Sequence, residues 1–257
     1  MTANAQAPSI ESKFVVEVER AYACIMSSFA PPPVTGTEPS LGGMLFYSGQ
    51  LDATGRAFTV AGNLAGAAVL TVTADPEVQR QAVRQGIVDF LVTSLDEALR
   101  ILKNEIRKRE AVAVCIGAVP EDVECEMTER GVAPNLVRDA ALRSICASEE
   151  RILGVRWTVE SQPARWLPWL DAIASECLPA TSGAAHRWLR LAPRYLGRLL
   201  REERFFAASP EFAQQFLENL RTQSEKSQIP VALTVSITDG LRAEAYRFMP
   251  AAPRVVA

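Results

Sequence analysis

The chain has 257 residues, 48% hydrophobic and 22% charged, which suits one large or two small globular domains with a sizeable core. Its formal charge of −3 excludes a protein built on bulk attraction to nucleic acid or a membrane surface. The single histidine, His186, excludes mechanisms that need a histidine pair, and five scattered cysteines with no CxxC pair exclude a zinc knuckle.

In chain order, "MTANAQAPSIESK" lacks a basic region followed by an apolar core, so no secretion signal is expected. Residues 9–29 predict a helix, with Phe14, Val18, Ala21, Tyr22 and Ile25 on one face. "APPPVTGTEPS", Ala30 to Ser40, predicts a linker, because its prolines cannot continue a helix. Strand and helix then alternate: strand 44–49, helix 56–67, strand 68–73, helix 75–86, strand 88–92, helix 94–110, strand 111–116, helix 120–131 and strand 134–137. Asp75 and Pro76 supply a cap and a first helical position, and Ser94 with Glu97 forms a capping box. Apolar strands separated by amphipathic helices predict a parallel sheet covered on both faces, an α/β Rossmann-like arrangement.

The remainder reads differently. A strand is expected at 155–161, helices at 162–178, 183–206 and 209–223, and a hairpin at 231–249 that turns at Asp239-Gly240. Pro193 should kink or divide the second of these helices. The organisation expected is therefore an N-terminal helix and linker (1–40), a Rossmann-like domain (41–150) and an α+β C-terminal region (151–257). The longest uncharged apolar run, Ala111 to Pro120, is far short of a membrane span, so no membrane partner is expected.

An ordered series of segments resembles the urocanase (urocanate hydratase) family over about residues 41–137. "LGGMLFYSG" looks like the strand that leads into that family's glycine-rich loop, and "AGNLAGAAVLTVTADPE" like the following helix and strand. "QGIVDFLVTSLDEALRIL" is similar to the family's short strand and "DLDEAL" helix. "AVAVCIGAV" followed by "ERGVAPNLV" resembles its next strand, loop and "RGVRPDLV" element. The resemblance implies a Rossmann-like domain, NAD+ acting as an electrophile toward an imidazole substrate, and a cytoplasmic homodimer.

Several expected site positions differ from the family's pattern. The family loop reads like "GLGGMSGAQ"; here Gly49 and Gly55 keep the outer glycines, Gln50 and Thr54 lie between, and the inner pair is Leu51 and Asp52. A carboxylate near a pyrophosphate is repulsive unless a cation intervenes. Thr73 stands where an acid would bind a ribose hydroxyl, and Gly117-Ala118 where the family has Gly-Asn. In "RDAALRSICASEE", only Asp139 matches the family's substrate segment. The cofactor-binding residues implied by the resemblance are Gly49, Gln50, Thr54, Gly55, Thr73, Gly117 and Asp139. No catalytic or metal residue is assigned.

Other candidates have bland readings. Arg187, Arg190, Arg194, Arg198 and Arg201 form a basic stripe if their helix is continuous; a solvated face explains it better than nucleic acid does. His186 reads as a packed or surface residue, and Cys115 as an inert buried thiol. All five cysteines read as free thiols of a reducing cytoplasm. Glu121, Asp122, Glu124 and Glu126 read as acids favoured at a helix start. The expectation is a urocanase-like protein without hydratase activity and without a cofactor, taking a small-molecule ligand at the degenerate crevice. The alternatives are a urocanate hydratase-type hydro-lyase using NAD+, and a non-catalytic interaction or assembly module.

Overall fold

The computed structural model describes residues 10–29, 38–140, 142, 153–239 and 242–250. The chain divides into two compact units, one of Val16–Ser148 and one of Glu149–Ala257 with Met1–Val15. The first helix, α1 (Ile10–Phe29), buries Val18, Ala21, Tyr22 and Ile25, the stripe that its helical spacing predicts. Residues 30–37 of the expected linker lie outside the described residues.

The unit Val16–Ser148 is built on a five-stranded sheet with the order β3-β4-β2-β1-β5. Its strands are β1 (Leu45–Gln50), β2 (Ala68–Val72), β3 (Phe90–Val92), β4 (Val112–Ile116) and β5 (Leu136–Val137), and every pairing is parallel. The helices α2 (Ala53–Ala65), α3 (Pro76–Arg84), α4 (Leu95–Lys108) and α5 (Pro120–Glu129) connect them. Leu45, Tyr47, Leu70, Val72, Val114 and Ile116 face one side, where they pack with Leu99 and Leu102 of α4 and Val123 and Met127 of α5. The alternate residues face α2, where Phe46 and Phe58 place their ring centres 6.4 Å apart. Both faces being covered explains why these strands are apolar throughout.

Two boundaries differ from the expected ones. Helix α2 starts at Ala53, not 56, because Asp52 caps it and accepts a hydrogen bond from the Gly55 N–H. Strand β3 starts only at Phe90, because Asp89 turns its carboxylate onto the Ala113 N–H at 2.8 Å.

The other unit holds an antiparallel sheet of four strands in the order β7-β6-β8-β9. Its elements are β6 (Leu153–Val159), α6 (Pro163–Glu176), α7 (Gly183–Tyr195), a 3-10 turn (Gly197–Leu200), β7 (Glu203–Ala208), α8 (Pro210–Glu225), β8 (Leu233–Asp239) and β9 (Arg242–Phe248). The helix expected over 183–206 is corrected here. Helix α7 runs through Pro193 and stops at Tyr195, and residues 203–208 form a strand along β6. Proline in a last helical turn removes one hydrogen bond without breaking the earlier ones. The sequence "ERFFAA" fits a helix locally, but pairing with β6 and burial of Phe205 and Phe206 decide for the strand. The hairpin forms with Asp239 opposite Arg242, so the chain reverses between these two residues and Asp239 opens the turn; Gly240 lies outside the described residues.

The core of this unit is aromatic with one polar insertion. Trp157 packs on Phe216 at 5.2 Å between ring centres, and Phe212 meets Phe206 at 5.0 Å. Asp171 accepts from the Trp157 indole N–H at 3.1 Å and from Arg204 Nε at 2.9 Å, and Arg204 also donates to the Leu200 carbonyl. Burial raises the Asp171 carboxyl above its ordinary range, and the Arg204 charge pulls it back.

Two stability predictions follow from these contacts. Asp171→Ala leaves the Arg204 charge buried without its partner and should cost about 3–5 kcal/mol. Urea unfolding followed by tryptophan fluorescence reads that unit, since Trp157, Trp166, Trp169 and Trp188 all lie in it. A Cβ on Gly55 would lie 2.0 Å from the Gln50 carbonyl oxygen, whereas one on Gly131 (φ +65°) meets nothing within 4 Å. Gly55→Ala should therefore cost about 3 kcal/mol or more and Gly131→Ala about 1–2 kcal/mol, as read by hydrogen exchange of β1 and α2 amides.

Candidate functional site

In the unit Val16–Ser148 the chain passes from β4 through α5 to β5 on the other flank of β1, so the strand order reverses beside β1. Open parallel sheets take ligands at such a reversal, at the carboxyl ends of the strands. Here β1 carries an irregularity: Tyr47 pairs with Leu70 but Gly49 with Thr71, leaving Ser48 as an extra residue. Gly49 has φ +71°, the left-handed value that such a bulge favours in glycine. Buried hydroxyls fix the bulge from below. Ser48 Oγ lies 3.0 Å from Thr59 Oγ1, Thr59 donates to the Gly55 carbonyl at 2.8 Å, and Thr71 donates to the Gly49 carbonyl at 2.9 Å.

Above this base two charged side chains meet. The Asp52 carboxylate accepts from the Gly55 N–H at 2.6 Å, which puts a negative charge on the N-terminus of α2. Arg138 directly follows β5, and its backbone N–H donates to the Tyr47 carbonyl at 3.0 Å. Its side chain, only 7% exposed, reaches Asp52 at 3.2 Å through Nη1 and the Gln50 carbonyl at 3.0 Å through Nη2. The buried Arg138 Nε has no hydrogen-bond partner. Beside this pair the Tyr47 hydroxyl donates to Glu124 at 2.9 Å; burial and that carboxylate push the phenol well above its usual range.

The residues expected from the sequence fall into separate groups. Gly49, Gln50 and Gly55 surround the Asp52–Arg138 pair, and Thr54 is exposed in the first turn of α2. Thr73 and Gly117 gather instead around Gln79 of α3, whose Nε2 donates to the Thr73 carbonyl at 2.8 Å and lies 3.1 Å from where a Gly117 Cβ would stand. Asp139 accepts from the Leu142 N–H at 2.8 Å. Leu51 is buried and its N–H continues the sheet to the Val72 carbonyl, so Asp52 alone of the inner pair faces the crevice. Arg138 was not singled out from the sequence. The signal for it was a lone arginine immediately after the last short strand, with an opposite charge in the glycine loop.

The remaining candidates are satisfied structurally. His186 Nδ1 lies 2.8 Å from Ser175 Oγ and Nε2 lies 3.2 Å from the Pro179 carbonyl. The arginine stripe is not one helix, because α7 ends before Arg198 and Arg201. The acids of α5 lie in its first turns, and no group of metal-ligating side chains occurs among the described residues. Cys115, Cys125 and Cys177 are free thiols, whereas Cys24 is disulfide-bonded, which corrects the expectation that every cysteine is free. Cys146 lies outside the described residues. No helix among the described residues is long and apolar enough to cross a membrane.

The parallel sheet, its crossover helices and the glycine turn after β1 define a Rossmann-like α/β domain. More narrowly, residues 30–143 match the family model described as the urocanase Rossmann-like domain. The match spans the series of motifs that carries the resemblance at 41–137. NAD+ in that role would set its pyrophosphate on the N-terminus of α2. Asp52 already supplies the anion there, and the Gly55 N–H and Arg138 are committed to it. The residues present do not fit the group.

Asp52→Ala should cost about 1 kcal/mol through loss of the cap and more through loss of the carboxylate that pairs the nearly buried Arg138, whereas Asp52→Ser keeps the cap and shows the Arg138 part alone, as read by denaturant unfolding. Thiol chemistry gives a further check. Burial pushes the Cys115 thiol up to about 12, while exposed Cys125 is raised mainly by the Glu129 charge. Raising a thiol pKa lowers the reactive thiolate fraction, so alkylation at pH 8 should mark Cys125 first and leave Cys115 unmarked until unfolding. Glu129→Gln should speed Cys125 labelling, measured by mass spectrometry.

Proposed function

We propose that the unit Val16–Ser148 is a urocanase-related Rossmann-like domain that has exchanged its coenzyme for an internal ion pair, and that it acts as a ligand-binding domain without hydratase activity. The observation that carries this reading is the Asp52 carboxylate on the first turn of α2, locked to Arg138. Taken alone, that carboxylate would repel a pyrophosphate oxygen about 4 Å away by ~1 kcal/mol in water and ~4 kcal/mol near a protein surface; Arg138 offsets part of this charge, and the further obstacle is that Asp52 already holds the Gly55 N–H that a phosphate would use. The ligand is then a small molecule held at the carboxyl ends of β1 and β5, near Gly49, Gln50 and Arg138, with no diphosphate on α2.

The surviving glycines do not argue against this. Gly49 serves the bulge and Gly55 serves the approach of α2 to the Gln50 carbonyl, so both are required by the backbone alone. The family match favours a second reading, a hydro-lyase of the urocanate hydratase type with NAD+ as its electrophile. That reading requires Asp52 to leave α2 when the coenzyme arrives.

Calorimetric titration separates the two. The full chain should give no heat with NAD+ and no loss of urocanate's ultraviolet absorbance. Asp52→Ser keeps a cap and removes the charge, so its affinity for inorganic pyrophosphate should exceed the parent's by about tenfold or more. Saturable NAD+ binding by the unaltered chain, accompanied by urocanate consumption, would replace the first reading with the second.

A further inference from the structure

Among the described residues, Arg138 Nε is the one buried side-chain nitrogen that lacks a hydrogen-bond partner. The side chain is 7% exposed, with Nη1 bonded to Asp52 and Nη2 to the Gln50 carbonyl. A buried donor left unpaired costs its full desolvation, and a guanidinium cannot shed the proton, so the geometry calls for an acceptor from outside the chain. Gly49 shows where that acceptor would stand. A Cβ on Gly49 would lie 3.4 Å from Arg138 Nη2 and 3.8 Å from Nε, and apart from its chain neighbours no other described atom comes within 4 Å of it. The Nε–Nη2 edge of the guanidinium therefore looks onto the bare α-carbon of Gly49, where any other residue would put a side chain.

The charges around this point select among acceptors. Asp52 matches the Arg138 charge at 3.2 Å. Beside the pair, Glu124 accepts from the Tyr47 hydroxyl at 2.9 Å, and the charges that bear on that hydroxyl are Glu124, Arg138 and Glu121. One guanidinium thus stands with three carboxylates. A ligand carboxylate would add a fourth negative charge to this set, whereas a carbonyl satisfies Nε without adding any. An ammonium group has no acceptor to offer Nε. An amide supplies both halves of what the crevice can use: its oxygen accepts from Nε, and its N–H donates to a carboxylate. Asp52 is 49% exposed, and a carboxylate that already accepts two hydrogen bonds retains capacity for more.

We propose that Arg138 recognises an uncharged carbonyl group seated over Gly49, so that the crevice takes amides and lactams in preference to carboxylates. This rests on the reading of the crevice as a ligand site and names the class of molecule it takes.

Nitrogen-15 magnetic resonance of the full chain reads the Arg138 Nε–H directly, and Arg138→Lys assigns its cross-peak by removing it. The probes are acetamide and acetate, which share a shape and differ in charge. Acetamide should move the cross-peak saturably, and acetate at equal ionic strength should bind about tenfold more weakly or worse. Glu124→Gln removes one carboxylate while leaving Asp52 and Arg138 in place, and should narrow that gap. Arg138→Lys keeps a charge opposite Asp52 but has no Nε–H, so acetamide should no longer shift the Gly49 and Gln50 amides. Acetate bound as tightly as acetamide overturns the proposal and leaves the crevice as a ligand site. An Nε–H that neither probe moves overturns it too, as does an acetamide response that survives Arg138→Lys. Saturable NAD+ binding by the unaltered chain overturns the underlying reading instead, so the two failures are distinct.

Discussion

The geometry of the β1–α2 turn depends on one carboxylate. A helix N-terminus presents N–H groups that need acceptors, and in a dinucleotide-binding domain the ligand's phosphates supply them. Asp52 supplies the acceptor from within the chain, and Arg138 from the neighbouring strand balances its charge. Arg138 in turn bonds the Gln50 carbonyl, so the pair ties β1, α2 and the end of β5 together. A phosphate-bearing ligand would have to undo that tie before it could use the turn.

The fold can keep its form while this position changes because different interactions govern the two. The sheet is held by apolar burial on both faces, through residues such as Leu70, Val114, Leu99 and Phe46 that lie away from the crevice. Its close approaches require glycine at positions 55 and 62, where a Cβ would lie 2.0 Å from the Gln50 carbonyl and 2.7 Å from Phe46 and Val69. Those constraints preserve the recognisable series of motifs. The coenzyme seat, by contrast, is a handful of backbone donors, and one side chain of the right length can satisfy them. A match to a family's fold therefore carries less about chemistry than about packing.

The second unit shows the same separation. Its aromatic core, Trp157 with Phe216 and Phe206 with Phe212, surrounds a buried pair whose charges are matched and hydrogen-bonded. His186, the one histidine of the chain, spends both ring nitrogens on Ser175 and the Pro179 carbonyl, positions consistent with bracing one helix against the segment before it. The side chains that drew notice in the sequence here hold the structure together.

The sequence by itself determined the parallel α/β unit, its helix caps at Asp75 and Ser94 and the C-terminal hairpin, because these follow from local periodicity and backbone chemistry. It also marked Asp52 as foreign to a phosphate cradle, since charge can be read from a residue's identity. Tertiary structure decided the rest. Strand β7 exists because β6 lies beside it, against the helical leaning of its own residues. Leu51 turns into the core where the sequence left it beside the crevice. Arg138 reaches Asp52, 86 positions earlier in the chain, only because β5 returns next to β1. Contacts between residues so distant in sequence depend on strand order, and no local pattern of side chains encodes that order.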